Sequence, residues 1–561
     1  MKRFVYITIF LLFAPHSINA IDPTGVYHDS HSLFYVNPSI GEIKLRIKKG
    51  IINNVYVTVN GKRTKMERGF QDADFDYFVA KLDTFDTMTT YNFLLQDPTD
   101  SSQFLTTNPF KADVPLFIIP NWAAAKVYYS IFIDGFYNGD RSNDPKEKAV
   151  WGTAPKNWLP YGGDFKGILR KMAYIDSLNP DIILLQPIFS ASSNHKLNTK
   201  DYAIVDASFG DTVDLKNLIN EIHKRNKKIV LSVIFTHTGV DFSTFKDIEN
   251  KGENSKYANW YILKSTSIKR SPPNYECWRS DYRFPKLNLV NPQVKNYLIG
   301  YLEYWKHFGF DGFFIGADTK IDPIFVKTLR THLKTRYPDL LLLGSDMRLL
   351  TGNGFDAVSN SSLTDMIIRY FIKNSIATSV FDRGIQKMLF FETPQTNSAN
   401  LINISNYSTR IKCFGKPNII PNIYAFLFTC IGSPVILYGD EIGMSDCAAL
   451  NLGSFKWDAE KQDRSLLERI KRLIEIRKAN PQITSTNFYT LYVNDITKVY
   501  AYDRGGLIVV LNNGDKQSFV ELPAWDGLYL DLISGEKATA YSQKLKLSVQ
   551  PWSYRILKRE I

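Results

Sequence analysis

Hydrophobic and polar positions change rhythm twice along this chain of 561 residues. In the first hundred or so residues, apolar and polar side chains alternate in short runs: Ile43–Ile47, Asn54–Val59, Phe75–Leu82 and Tyr91–Leu95. Alternation of period two puts every second side chain on one face of a strand. The stretch 21–120 therefore predicts a β-sandwich of immunoglobulin-like type, with Pro109, Pro115 and Pro120 punctuating its end. After Trp122 the rhythm changes to apolar runs separated by helical periodicity. Strands are predicted at Val127–Ile133, Asp181–Gln186, Ile229–Phe235, Gly312–Ile315, Leu340–Leu343, Asp356–Val358, Leu401–Ile404 and Val435–Tyr438. Helices are predicted at Phe165–Ser177, Thr212–Arg225, Gln293–Phe308, Ile324–Arg336 and Pro421–Ile431. Eight strands with intervening helices predict an α/β fold, a (β/α)₈ barrel over 121–483. An open doubly wound sheet uses the same alternation, but no glycine-rich phosphate loop follows the first strand. From 484 to 561 short alternating runs return, as in Val499–Tyr502 and Leu507–Leu511, and predict a small antiparallel β-domain.

The first twenty residues stand apart. Met1-Lys2-Arg3 is basic, Phe4–Ala14 is an apolar run, and Ser17-Ile18-Asn19-Ala20 offers a cleavage site. This is the pattern of a signal peptide over 1–20, so the chain is expected to be secreted, periplasmic or at the cell surface. The run is too short for a comfortable membrane span, and membrane attachment follows only if the segment stays uncleaved.

Composition narrows the class without naming a function. At 44% hydrophobic and 22% charged residues, the chain is neither disordered nor collagen-like. Its net charge of +12 is scattered, and the densest cluster, His223 to Lys228, ends an amphipathic stretch. Cations there suit the last turn of a helix, so no nucleic acid partner is implied. Cys277, Cys413, Cys430 and Cys447 include no close C-x-x-C pair, which argues against zinc and against a disulfide framework.

Several segments now carry a family resemblance. They are Val127 to Asp140 at the first predicted strand, Gly162-Gly163-Asp164-Phe165, Pro187-Ile188-Phe189 with Ser193-Asn194-His195-Lys196, and Leu437 to Met444 at the eighth. Together they resemble the α-amylase family of glycoside hydrolases, in its neopullulanase and cyclomaltodextrinase branch. The resemblance runs over essentially the whole chain after residue 20. It implies an N-terminal β-domain, the barrel and a C-terminal β-domain, in agreement with the pattern.

Retaining glycosidases use a carboxylate nucleophile and a carboxylic acid about 5 Å apart. The family adds a third carboxylate, two histidines and a stacking tyrosine at the C-terminal ends of the strands. Position by position the resemblance departs from that pattern. Where the family has Asp-x-x-x-Asn-His, this chain reads Ser232 to His237, and only the histidine remains. The family's Gly-x-Arg-x-Asp is Gly312-Phe313-Phe314-Ile315-Gly316, which puts Phe314 at the arginine and Gly316 at the nucleophile. Ser345 stands at the acid position, Asn406 at the second histidine, Tyr407 at the third carboxylate and Leu197 at the stacking tyrosine. Of the nearby acids, Asp346 should point away from the pocket by strand alternation, and Asp318 would need a register slip.

The expected reading is an exported protein of carbohydrate metabolism without catalytic residues, binding an α-glucan or maltooligosaccharide through His195, His237, Phe314, Asn406 and Tyr407. The aromatic positions equally suit a barrel mouth packed shut. Two alternatives stay open: a maltodextrin-degrading hydrolase using non-standard acids, and a structural, partner-binding protein. The resemblance also implies a structural Ca²⁺ at Asn138, Asp140, Asn143, Asp144, Gly162 and Asp164, although Asx-rich turns share this composition. A homodimer through the N-terminal domain is implied by the branch alone.

Overall fold

A computed structural model describes residues 25–560 apart from 51, 53, 84, 98–99, 115–116, 156–158, 317–320, 351–353, 407–408 and 447–451. The chain forms two units. The first runs to Ile118 and takes in Gln386–Thr393, and the second holds the rest of the described residues.

In the first unit, the strands Glu42–Lys48, Val55–Val59, Phe75–Lys81 and Thr90–Gln96 sit where alternation predicts them. All pairing is antiparallel. An additional ten-residue strand, Lys62–Gln71, pairs first with Val55–Val59 and then, from Glu67, with Phe75–Lys81. One strand thereby joins both halves of the domain.

The second unit is built on eight parallel strands: β1 Tyr128–Ile131, β2 Ile182–Leu185, β3 Lys228–Ile234, β4 Gly312–Gly316, β5 Leu341–Gly344, β6 Ala357–Val358, β7 Leu401–Ile402 and β8 Ser433–Leu437. Ladders run from β6 through β5, β4, β3, β2 and β1 to β8 and β7. A parallel bridge from Ser359 to Leu401 joins the two ends, so the sheet closes into the expected barrel. β6 and β7 are only two residues long, the least regular part of the wall. The outer helices begin where the sequence supplies caps. Asn291 accepts from the Gln293 amide ahead of Pro292–Phe308, and Asp322 accepts from Phe325 ahead of Pro323–Arg336. Each has proline in its first turn, where no amide proton is needed.

The C-terminal strands form an eight-stranded antiparallel sheet, from Tyr489–Asn494 to Ser553–Arg559. It packs on the helix Ile420–Thr429, whose residues are all buried except Pro421. Fully buried Arg504 donates to the Thr429 carbonyl at 2.8 Å, and Asn422 donates to the Asn512 carbonyl at 2.9 Å. A helix covered by both barrel and sheet needs apolar residues all round, and that is its sequence. Cys413 is disulfide-bonded, while Cys277 and Cys430 are free thiols. Cys447 lies outside the described residues. No helix among the described residues is long and apolar enough to cross a membrane, and residues 1–20 fall outside them.

Candidate functional site

Side chains at the C-terminal ends of the barrel strands surround a cavity of about 510 Å³. That volume lies in the range of small-molecule sites. Because side chains two residues apart share a face of a strand, several wall elements contribute in pairs: Leu184 and Gln186, Ser232 and Ile234, Phe314 and Gly316. Of the two readings of Phe314, wall or plug, the structure has the wall. Gly316 also faces the cavity side, since a Cβ added to it would stand 3.0 Å from Ile234 Cδ1 and 3.5 Å from Phe314 Cε1. Ser345 and Asn406 line the same space. Leu197 does too, in a small cluster with Trp278 and Phe284.

His237 lies in the wall and is buried. Its Nδ1 is 3.0 Å from Thr236 Oγ1. Burial pushes its pKa down to about 3, so the ring is neutral at physiological pH. Trp278 stacks on it, with ring centroids 5.0 Å apart and planes 22° from parallel. The Arg279 guanidinium lies 4.6 Å over the Trp278 ring. Arg279 and Ser280 both take left-handed backbone angles, with φ of 50° and 59°. Two such non-glycine residues in succession cost energy, of order 1–2 kcal/mol each. Trp278 and Arg279 come from a loop with no periodicity to mark it, and sequence reasoning missed both.

His195 is not in this cavity. It is buried with Nδ1 accepting from the Leu197 amide and near Ser193 Oγ, each at 3.1 Å. Leu197, two residues on, reaches the wall instead. Asp346 turns away as alternation requires: its carboxylate pairs with Arg348 and accepts the Arg348 amide at 3.1 Å. Among the described lining residues there is no Asp or Glu. Tyr407 and Asp318 lie outside the described residues.

Behind the wall, Arg410 donates to Asp440 Oδ1 at 2.9 Å and to the Tyr438 carbonyl at 2.8 Å, fully buried. This pair fixes the end of β8 to the segment after β7.

The six residues tied by resemblance to calcium divide into two groups. Asn138 Nδ2 donates to Asp144 Oδ1 at 2.5 Å, and a Cβ on Gly162 would fall 2.5 Å from that oxygen. Asn138 Oδ1 and Asn143 Oδ1 are buried without partners among the described residues. Asp164 is otherwise engaged: it is fully buried and accepts the amides of Gly139, Asp140 and Gly167 at 3.0, 2.7 and 2.6 Å. Asp140 pairs with Lys166 at 2.7 Å and caps Ser142, and Lys166 holds its carboxyl below the usual range. Asn138, Asn143 and Gly162 would suit a hard cation, Asp144 would have to give up Lys148, which pairs with its Oδ2, and Asp140 and Asp164 act as structural acceptors.

Comparison with known proteins bears on this geometry. Residues 23–120 match the α-amylase N-terminal ig-like domain, and residues 130–339 the α-amylase catalytic domain. Neopullulanase 2 of Thermoactinomyces vulgaris is 30% identical over 561 aligned residues, which cover 92% of this chain and 95% of that protein. The chain belongs to the α-amylase family. Another α-amylase-family relative, a cyclomaltodextrinase of Thermoanaerobacter pseudethanolicus, is 32% identical over 80% of each chain. A solved cyclomaltodextrinase structure superposes with a TM-score of 0.85 at 26% identity, over 95% of this chain and all of the other. The barrel, the N-terminal antiparallel domain and the C-terminal antiparallel sheet are those of the α-amylase fold.

Proposed function

We propose that the barrel mouth takes maltodextrin or a related α-glucan and holds it without cleaving it. Membership of the α-amylase family supports the ligand class, as do relatives named for pullulan and cyclomaltodextrin. Taken alone, those names favour a maltodextrin-degrading hydrolase over a binding protein. The observation that carries the binding reading is the lining. Gly316 and Ser345 face the cavity, and no carboxylate stands among its described residues. Retaining cleavage needs two carboxyl groups about 5–5.5 Å apart. Losing one member of such a set costs up to about a millionfold in rate. The hydrolase remains the second reading, with Asp318 as its acid. Product release from maltotetraose tests the pair: the binding reading expects none above the rate in buffer. Turnover that Asp318→Ala abolishes would replace it with the hydrolase.

Three further readings belong with this proposal. The chain is exported on cleavage of residues 1–20. A homodimer forms through the N-terminal domain. Calcium, held by Asn138, Asn143, Asp144 and the Gly162 carbonyl, would cross-link the two loops that carry them. The mass of the exported chain, its sedimentation and its melting with and without calcium test these in turn.

A further inference from the structure

The cavity does not stop at the ends of the strands. Ile234 pairs with Gly316 at the top of the wall, and Ser232 pairs with Phe314 one layer below. Ser130, in register with Leu184 and Leu437, lines the cavity two strands away from Ser232. At 3.3 Å per residue, Ser232 sits roughly 6.6 Å below the level of Gly316, about the depth of one sugar ring. Two residues lower on the same strands, Tyr128, Ile182 and Val230 are fully buried and do not line the cavity. The space is a blind well, and small side chains make it so. A filled barrel would carry bulky residues in this layer.

The polar groups at the bottom are arranged to meet something. Ser232 is only 3% exposed, lines the cavity, and its hydroxyl makes no hydrogen bond among the described residues. Ser130 Oγ accepts from Gln186 Nε2 at 2.7 Å, which leaves its own proton to donate into the cavity. A hydroxyl that opens into a cavity with no protein partner is completed by a water or by a ligand. Around these two hydroxyls the floor is apolar, with Leu184, Val435 and Leu437. Neutral donors and acceptors on an apolar floor match an uncharged polyhydroxylated ring with C–H faces.

We propose that this floor is a terminal-sugar subsite. One end of a linear α-glucan descends below the strand ends, and the hydroxyls of its last sugar bond to Ser232 and Ser130. A closed ring offers no end to insert, so the well selects linear oligosaccharides over cyclic ones. The inference rests on the glucan reading of the cavity and adds the form of the ligand.

Calorimetric titration of the full chain with maltohexaose and with cyclomaltohexaose tests it, since both carry the same number of glucose units. The linear sugar should bind at least about tenfold more tightly. Ser232→Val should weaken maltohexaose by ~3–10-fold, the worth of one neutral hydrogen bond, and leave cyclomaltohexaose within about twofold. Ser130→Ala, which adds no bulk, should do the same, and melting curves would verify that both variants fold. Equal affinity for linear and cyclic sugars would overturn the inference and leave glucan binding intact. So would folded serine variants that bind maltohexaose like the parent. If neither sugar binds the parent chain, the glucan reading fails and the subsite with it.

Discussion

Glu441 is a carboxyl group held where water cannot reach it. Its side chain is fully buried after β8, Tyr129 and Tyr174 each donate to Oε1 at 2.8 Å, and Oε2 has no partner among the described residues. Burial raises its pKa from 4.5 to about 7, with the two phenols and a backbone amide pulling the other way. Below pH 4.5 the group is protonated both in the folded and in the unfolded chain and contributes nothing to the difference. Between 4.5 and 7 the unfolded chain releases its proton while the folded chain keeps it, so stability falls as pH rises. Above 7 both states are ionised and the folded state carries the whole cost. A displacement from 4.5 to about 7, at 1.36 kcal/mol per unit, makes that cost about 3 kcal/mol. Glu441→Gln keeps the acceptor for both tyrosines and cannot ionise. Guanidinium unfolding of both proteins from pH 4.5 to 8 should therefore show the stability of the parent falling relative to the variant by about 3 kcal/mol. Parallel curves across that range would refute the argument that burial, rather than the tyrosine hydrogen bonds, governs this carboxyl.

Other perturbations have clear expectations. Arg410→Met leaves Asp440 buried without its cation and should lower unfolding free energy by about 3–5 kcal/mol, read from the denaturant midpoint. Less than about 1 kcal/mol would mean that the pair is not what fixes β8. Because burial holds His237 neutral down to about pH 3, affinity for maltohexaose should be flat between pH 5 and 8. A break in affinity near pH 6.5 would show the ring titrating in the wall. Calcium should raise the melting temperature, and Asp144→Ala should remove the rise; an identical melt in chelator and in calcium would dismiss the ion.

The barrel was legible because buried parallel strands read as apolar runs between helices with caps and prolines. β3, expected at 229–235, spans Lys228–Ile234, and β5 is displaced by only one residue. Lys62–Gln71 escaped because charged residues dominate it and only Met66 is buried, so no apolar alternation marks it. The cavity was half legible. His237, Phe314, Gly316, Ser345 and Asn406 were named through the family resemblance, and all five line the cavity. His195 was misplaced, since a turn of side-chain direction within a loop leaves no trace in the sequence. Trp278 and Arg279 were missed for the same reason. The depth of the well was hidden in Ser130 and Ser232, whose small size means nothing until the strands close round a common interior.

The most direct test asks one sample two questions. Maltohexaose is dialysed to equilibrium against the full chain, and the bound fraction is then released and chromatographed. Retention of the sugar by the protein, with every recovered molecule still six units long, is the predicted result. Shorter sugars accumulating with time, or no retention at all, would contradict a barrel that holds α-glucan without cutting it.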